Sequence, residues 1–574
     1  MNRSVAVTCL IGCICAAYGA AVSPVAAGDL SRDFTVGARY LVIPVNNGAK
    51  QCRLTLKVDG KAVRSYDVAL AEGPEDVEWW AFFTIDRYQG HPATLSVSNT
   101  TPAAFALIQQ ADDVPGSDRW YTEPLRPQFH FSQKVGWNND VNGAVYHDGE
   151  WHLFFQHNPV GIQWGNMTWG HAVSRDLVHW EQLPNAVFPR TMARGVCFSG
   201  SGVVDKRNTA GFKTGSEEVI VLIVTDRRRR AMGGESLAFS NDRGRTFSWY
   251  QGNPVLPHKG NDPKVIWYAY DTDDTPLNDT AERLGGHWVM VVLDYGRHVT
   301  PFYTSTDLKS WTEQSCLRGY GECPELFELP VDGEKNNMRW VIMGGDAAYT
   351  IGQFDGRRFT PEHEGKRRVH YGAYYASQLF NNPPDGRRIQ MGWAKIEMPG
   401  MPFNQTFTVP TNLTLKSSND GVRLFANPIK EMNSLRYGEP ETIGEVTVTP
   451  QDPVSRQVDG QLFDIALAVR NRDASKMILR FGGNQLIYDF TEKKFGDMPA
   501  NLDDGKLSLR VLVDRPMFEV IAAGGQSYLT SGRRDAGKPL GSVSVHTEGG
   551  QAVLESLSIH NMKSIWKDHH ATTP

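Results

Sequence analysis

Three carboxylates stand in settings that ordinary surface acids rarely have. Gly136-Trp137-Asn138-Asn139-Asp140-Val141-Asn142-Gly143 holds Asp140 among amides and beside an indole, just ahead of the apolar run Ala144-Val145-Tyr146. Gly319-Tyr320-Gly321-Glu322-Cys323-Pro324-Glu325-Leu326-Phe327 encloses Glu322 between glycine, cysteine and proline, with Glu325 a rival in the same segment. A third, Asp262, opens the apolar run in Asn261-Asp262-Pro263-Lys264-Val265-Ile266-Trp267. Cleavage of a glycosidic bond needs two carboxyl groups in different protonation states, one ionised at the anomeric carbon and one protonated toward the leaving oxygen. Burial among apolar neighbours would raise the pKa of Glu322, as a general acid working near neutral pH needs. The Asp140 and Asp262 segments also have a plainer reading, because Asn-Asp-x-Asn-Gly and Asp-Pro are common turn sequences.

The elements that must position these groups read as strands throughout. From about residue 28 to 118 apolar and polar residues alternate, as in Cys52-Arg53-Leu54-Thr55-Leu56-Lys57-Val58, which predicts a small N-terminal β-sandwich-like domain. Within 119–427 a short pattern recurs: Ser174-x-Asp176 with Trp180, Ser240-x-Asp242 with Phe247, Ser305-x-Asp307 with Trp311, and Asp355 with Phe359. Each copy follows an apolar run and ends on an aromatic residue, as a tight turn between two strands of a repeated unit would. A β-propeller is the architecture that such repeats build. From 428 to 566 alternation returns without the repeat, predicting a C-terminal β-sandwich, with 567–574 a polar tail. Sustained helical periodicity is scarce, so the fold class expected is all-β.

Composition narrows the partners. At 574 residues the chain is too long for one core. Lys+Arg 59 against Asp+Glu 64 leaves a net charge of -5, with no basic excess to hold a nucleic acid. Residues 1–27 read as a secretory signal peptide, with Val25-Ala26-Ala27 before Gly28 a cleavage site, so a secreted or periplasmic protein is expected. Leu10-Ile11-Gly12-Cys13 also matches a lipoprotein signal, which would anchor the chain through Cys13. No later run is long and apolar enough to span a bilayer. Cys52, Cys197, Cys316 and Cys323 remain after the leader, free or paired, without zinc-site spacing. His152, His157, His171 and His179 show no metal-binding cluster, and neither a metal nor a cofactor is expected. Arg227 to Arg230 read as a solvated basic loop after an apolar strand.

Taken together, the segments resemble glycoside hydrolase family 32, the levanases, inulinases and invertases, from about Phe129 onward. Trp137-Asn138-Asn139-Asp140-Val141-Asn142-Gly143 is similar to the family's Trp-Met-Asn-Asp-Pro-Asn-Gly motif, and Gly321-Glu322-Cys323-Pro324 to its Glu-Cys-Pro motif. Phe155-Gln156-His157-Asn158-Pro159, Gln163-Trp164-Gly165-Asn166-Met167, Trp169-Gly170-His171-Ala172-Val173-Ser174 and Phe198-Ser199-Gly200-Ser201 match in order between them. The resemblance implies a five-bladed propeller followed by a β-sandwich, and a retaining β-fructosidase acting on levan, inulin or sucrose-like substrates. It further implies Asp140 as nucleophile, Glu322 as acid/base and Asp262 as transition-state stabiliser. Asn139, Gln156, Trp164, Phe198, Ser199, Asn261 and Trp393 would then line the pocket for a terminal fructose. A fructosyltransferase, or a fructan-binding protein without catalysis, are the alternatives. Two departures stand out: Asn261 occupies a position where the family usually has arginine, and Val141 one where it has proline.

Overall fold

A computed structural model describes residues 28–190, 195–228, 233–270, 285–418 and 420–566; the expected leader and polar tail lie outside them. Strands dominate, and Pro102–Leu107 is the one α-helix among the described residues. The first two sheets lie within residues 28–111. Gly28–Thr35, Pro92–Thr100, Gln51–Val58 and Lys61–Ala69 form one, and Trp79–Thr84, Tyr40–Val45 and Gln109–Ala111 the other. The period-2 side-chain alternation of a strand puts Leu54, Leu56, Tyr66, Val68, Leu95 and Val97 into a shared core. Val135 and Val160 from the following region join that core, so the N-terminal sheets are packed onto what comes next.

Five antiparallel sheets follow, each opened by one leading strand: Gly136–His147, Gly195–Asp205, Gly260–Ala269, Glu325–Pro330 and Tyr374–Leu379. Buried and half-buried side chains stitch these leading strands together. Asn381 donates to Gly202 O at 2.8 Å and Val265 O at 2.9 Å, while its backbone accepts from Tyr146 N at 2.9 Å. Lys264 donates to Leu379 O at 2.8 Å and pairs with Glu325 at 3.0 Å, both side chains being almost fully buried. Finally, Phe403–Asn404 returns to pair in parallel with Gly136–Trp137 of the first of these sheets.

The sequence repeat falls at one place in four of the sheets, the turn between the third and fourth strands. Asp176 accepts from Val178 N and His179 N at 2.9 and 2.8 Å, Asp307 from Lys309 N and Ser310 N at 2.8 and 2.7 Å, and Asp355 from Arg357 N and Arg358 N at 2.8 and 2.7 Å. Asp242 differs in reaching Thr246 N at 2.9 Å. The residue after each aspartate, Leu177, Arg243, Leu308 or Gly356, has positive φ, at 66°, 57°, 61° and 87°. A side-chain carboxylate that ties down its own downstream amides supports this left-handed turn.

Two of the four histidines His152, His157, His171 and His179 meet in the fold. His152 and His171 face each other at 3.0 Å inside the first of the five sheets. Burial lowers both, His152 to about 3, so the pair is neutral core packing stacked beside Phe154. The four cysteines Cys52, Cys197, Cys316 and Cys323 are free.

Beyond residue 428 lie a six-stranded sheet and seven strands of an eight-stranded one, which enclose a core that includes Phe463, Leu479, Val511 and Val545. This region is fused to the preceding one. His370–Gly372 adds in parallel to Ser527–Gly532, and Leu512, Ile521 and Tyr528 enter the same core as Phe131 and Phe407. At that junction His130 lies 2.8 Å from Asp514 and 3.4 Å from Glu519, all with fully buried side chains. Burial alone would lower His130, but the Glu519 charge and the Asp514 hydrogen bond raise it to about 9. Burial would likewise raise Asp514, yet the His130 bond and the Phe129 and Gln128 amides hold it below the usual carboxylate value.

A pH dependence of stability follows from these shifts. A raised histidine contributes stability that is complete below its unfolded value of about 6.5 and disappears as pH climbs through about 9. The lowered Asp514 contributes above its unfolded value of about 3.8 and is lost as pH falls through its folded value. The thermal midpoint of the wild-type protein is therefore expected to fall between about pH 6.5 and 9.5. His130→Gln, which strands two buried carboxylates, should be about 3–5 kcal/mol less stable with a flatter profile over that range. Identical slopes for the two proteins in a pH series of thermal melts would contradict the assignment.

Candidate active site

Backbone irregularities aim the site. In the first leading strand the pairing slips between Asn138 and Val141, so Asn139 and Asp140 occupy a bulge. The same happens at Phe198-Ser199 in the second, at Asp262-Pro263 in the third and at Ala376-Ser377 in the fifth. A β-bulge turns side chains out of strict alternation, and bulges gather next to active sites. Asp262, Cys323 and Ala376 have positive φ of 64°, 51° and 46°, a strained geometry for residues with a Cβ. Glu322 itself lies just ahead of the fourth leading strand.

All ten residues expected at the site line one cavity of about 360 Å³: Asn139, Asp140, Gln156, Trp164, Phe198, Ser199, Asn261, Asp262, Glu322 and Trp393. Arg227, Tyr295 and Tyr375 complete its wall. A larger cavity, about 780 Å³ between Trp267, Trp340 and Arg388, holds none of the three carboxylates. Asp140 accepts from Ser199 Oγ at 2.5 Å and from Asn139 Nδ2 at 2.9 Å, and Asn139 accepts in turn from Trp137 Nε1 at 2.9 Å. Trp393 is held by Gln405, its Nε1 donating to Oε1 at 3.1 Å.

Asp262 is only 4% exposed. The Asn261 amide donates to its carboxylate, and its backbone N–H donates to Thr225 Oγ1 at 3.1 Å. Thr225 donates onward to the buried Glu235, which also meets His258 Nε2 at 2.7 Å. Burial and then the charges of Asp140 and Glu322 push Asp262 well above the usual carboxylate value. Asp140 is raised as well, by burial first and by Glu322 in part, against hydrogen bonds from Ser199 and Asn139 that lower it.

Glu322 differs from its expected apolar setting. It is half-buried, and two tyrosines hold it: Tyr295 Oη donates to Oε1, and Tyr375 Oη to Oε2 at 3.2 Å. Burial first, then Glu322 for Tyr295 and Cys323 followed by Glu322 for Tyr375, push both tyrosines above their ordinary value, so both remain donors. Glu325, the rival carboxylate, is absent from the cavity and occupied by Lys264. Among the described residues, Asp140, Asp262 and Cys323 are the group whose ligand atoms come within 4.8 Å of one another, as a metal site would require. Burial pushes the Cys323 thiol well above its ordinary value, which leaves an S–H facing Asp140 at 4.0 Å where a metal would need a thiolate.

Arg227, Tyr295 and Tyr375 were not legible as site residues. Arg227 belongs to the strand Val219–Arg228, so the basic run does not begin in a solvated loop; Arg229 and Arg230 lie outside the described residues. Tyr295 follows the strand Gly286–Asp294 and Tyr375 lies one residue before a bulge, and neither carries a local motif.

Among the described residues no helix is long and apolar enough to cross a membrane. The Glycosyl hydrolases family 32 N-terminal domain matches residues 130–428. A levanase of Bacillus subtilis is 35% identical over 532 residues, spanning 82% of this chain and 74% of that one. An extracellular exo-inulinase of Aspergillus niger is 29% identical over 524 residues, spanning 78% and 96%. The crystal structure of exo-inulinase from Aspergillus awamori superposes with a TM-score of 0.68 at 27% identity, covering 78% of this chain and 100% of that one. A sequence match over more than half the chain, a levanase relative above 30% identity and three carboxylates in one cavity lead to one conclusion: the chain belongs to glycosyl hydrolase family 32 and is a glycoside hydrolase.

Proposed function

We propose that the protein is a retaining β-fructosidase that removes terminal fructosyl units from β-fructans such as levan or inulin, or from sucrose. The observation that carries this reading is the meeting of Asp140, Asp262 and Glu322 around one cavity of about 360 Å³, large enough for a sugar ring. Asp140 attacks the anomeric carbon of the fructosyl unit as the bond to the leaving oxygen breaks, and Glu322 delivers its proton to that oxygen. Water, deprotonated by Glu322, then displaces Asp140 and releases fructose. Asp262 faces the ring and offsets the positive charge that develops on it. Ser199 and Asn139 position Asp140; Gln156, Phe198, Asn261 and Trp393 shape the pocket, and the exposed Trp164 offers a stacking face at its mouth.

In the same reading residues 119–427 form a five-bladed propeller with one sheet per blade. Residues 28–118 are an accessory β-sandwich-like domain, and 428–566 a β-sandwich that buttresses the propeller. The leader supports export, in keeping with the extracellular exo-inulinase among the relatives. The test is chromatography of products from levan, inulin and sucrose incubated with purified protein. Free fructose as the sole product from a fructan is the expected result. Oligosaccharides would point to internal cleavage, lengthened chains to transfer, and no product at all would leave only a binding role.

A further inference from the structure

The geometry points to Arg227 as the residue that grips the sugar departing from the fructosyl unit and so sets the leaving-group preference of the cavity. This rests on the fructosidase reading above. Arg227 is the one cation among the described residues that line this cavity, where it shares the wall with three carboxylates. It makes no ion pair with a described residue. Its guanidinium carbon lies 5.6 Å from the Phe198 ring centre and 5.8 Å from that of Tyr295, and Nη2 donates to Gly260 O at 3.1 Å. Aromatic faces on two sides and one backbone tether fix the orientation of a planar fork. A guanidinium has five N–H donors, so most of them are left for another acceptor.

Position identifies that acceptor. Trp164, 58% exposed at the rim, lies 6.2 Å from Phe198, which leads through Arg227 to Tyr295, 38% exposed, and through its hydroxyl to Glu322. The arc ends on the carboxyl assigned to protonate the leaving oxygen. A sugar attached through that oxygen therefore lies against this arc, and its hydroxyls are the acceptors that Arg227 meets. Asn261 supplies no charge here, because its side chain is a neutral amide, and that amide donates to Asp262; the cation comes from the neighbouring sheet. The backbone makes room for it. A Cβ on Gly233 would fall 2.7 Å from Arg227 Cγ and displace the stem.

The experiment compares wild type, Arg227→Ala and Arg227→Lys in steady-state hydrolysis of a fructan oligosaccharide, with free fructose as a competitive inhibitor. Loss of charge-assisted hydrogen bonds to a leaving sugar should lower kcat/KM of the alanine variant about 10- to 100-fold, chiefly through KM. Lysine should recover part of the loss. The inhibition constant of fructose, which fills only the terminal pocket, should stay within about twofold, and the thermal midpoint should not move. An unchanged KM overturns the proposal, and so does a fructose constant that rises in step with KM, since that places Arg227 on the fructose ring. Calorimetric binding of the oligosaccharide and of fructose in an Asp140→Asn background reads the same contrast without turnover. Oligosaccharide binding that weakens only when Arg227 is replaced supports the assignment even if catalysis fails, whereas equal binding with and without Arg227 sinks it. Absence of fructose release by the wild type alone instead strikes the fructosidase reading.

Discussion

Replacing Asp140 by alanine is expected to cut fructose release at least about 10⁴-fold while the protein stays folded and no less stable. No neighbour can take over the attack. Asp262 is buried and bonded to Asn261, and Glu325 is paired with Lys264 beyond the cavity wall. The expectation on stability follows from the direction of the shifts. Asp140 and Asp262 are both raised, by burial first and then by one another's charge or that of Glu322. A raised group contributes stability below its unfolded value and loses it as pH rises through the folded value, so at neutral pH these carboxylates work against the fold. Taking one away relieves the other. Activity assays beside thermal melts at pH 7 check both halves; activity above about 1% of wild type in the folded variant would remove Asp140 from its assigned role.

How far the site could be read in advance depended on whether chemistry was written locally. Asp140, Glu322 and Asp262 each lie in a short segment whose glycine, proline and amide neighbours already set them apart, and six of the seven pocket residues, all but Trp393, lie in those segments or in the ordered motifs between them. The four Asp-centred turns were legible because a carboxylate that caps its own downstream amides needs a particular residue at a particular offset. Arg227, Tyr295 and Tyr375 reach the cavity from three different sheets, through pairing partners and bulges that no single segment encodes. Asn261 illustrates the same limit. Its sequence shows a missing arginine, while only the fold shows a guanidinium arriving from the next sheet to share the cavity. Glu322 was identified through an apolar setting, yet its partners are two tyrosine hydroxyls brought from distant strands. The joint between the last two regions was equally hidden, because a parallel pairing of His370–Gly372 with Ser527–Gly532 leaves no periodic trace in either segment.

Glu322→Gln should lower kcat about 10²- to 10⁴-fold, through loss of general acid and general base assistance at a side chain of nearly unchanged size. The pH profile makes the prediction specific. Attack needs Asp140 ionised, so the acid limb of kcat/KM follows Asp140. An amide carries no charge, whereas the Glu322 carboxylate is one of the groups that raise Asp140. The acid limb should therefore move to lower pH in the variant, toward the ordinary carboxylate range of about 4. Tyr295 and Tyr375 stay protonated in both proteins and keep their hydroxyls on position 322, so the side chain remains in place. A profile measured on purified protein from about pH 3 to 9 checks this displacement. If kcat falls less than about tenfold and the acid limb stays in place, the proton donor is another group, and Tyr295, whose hydroxyl already faces the same point in the cavity, is the one to replace next.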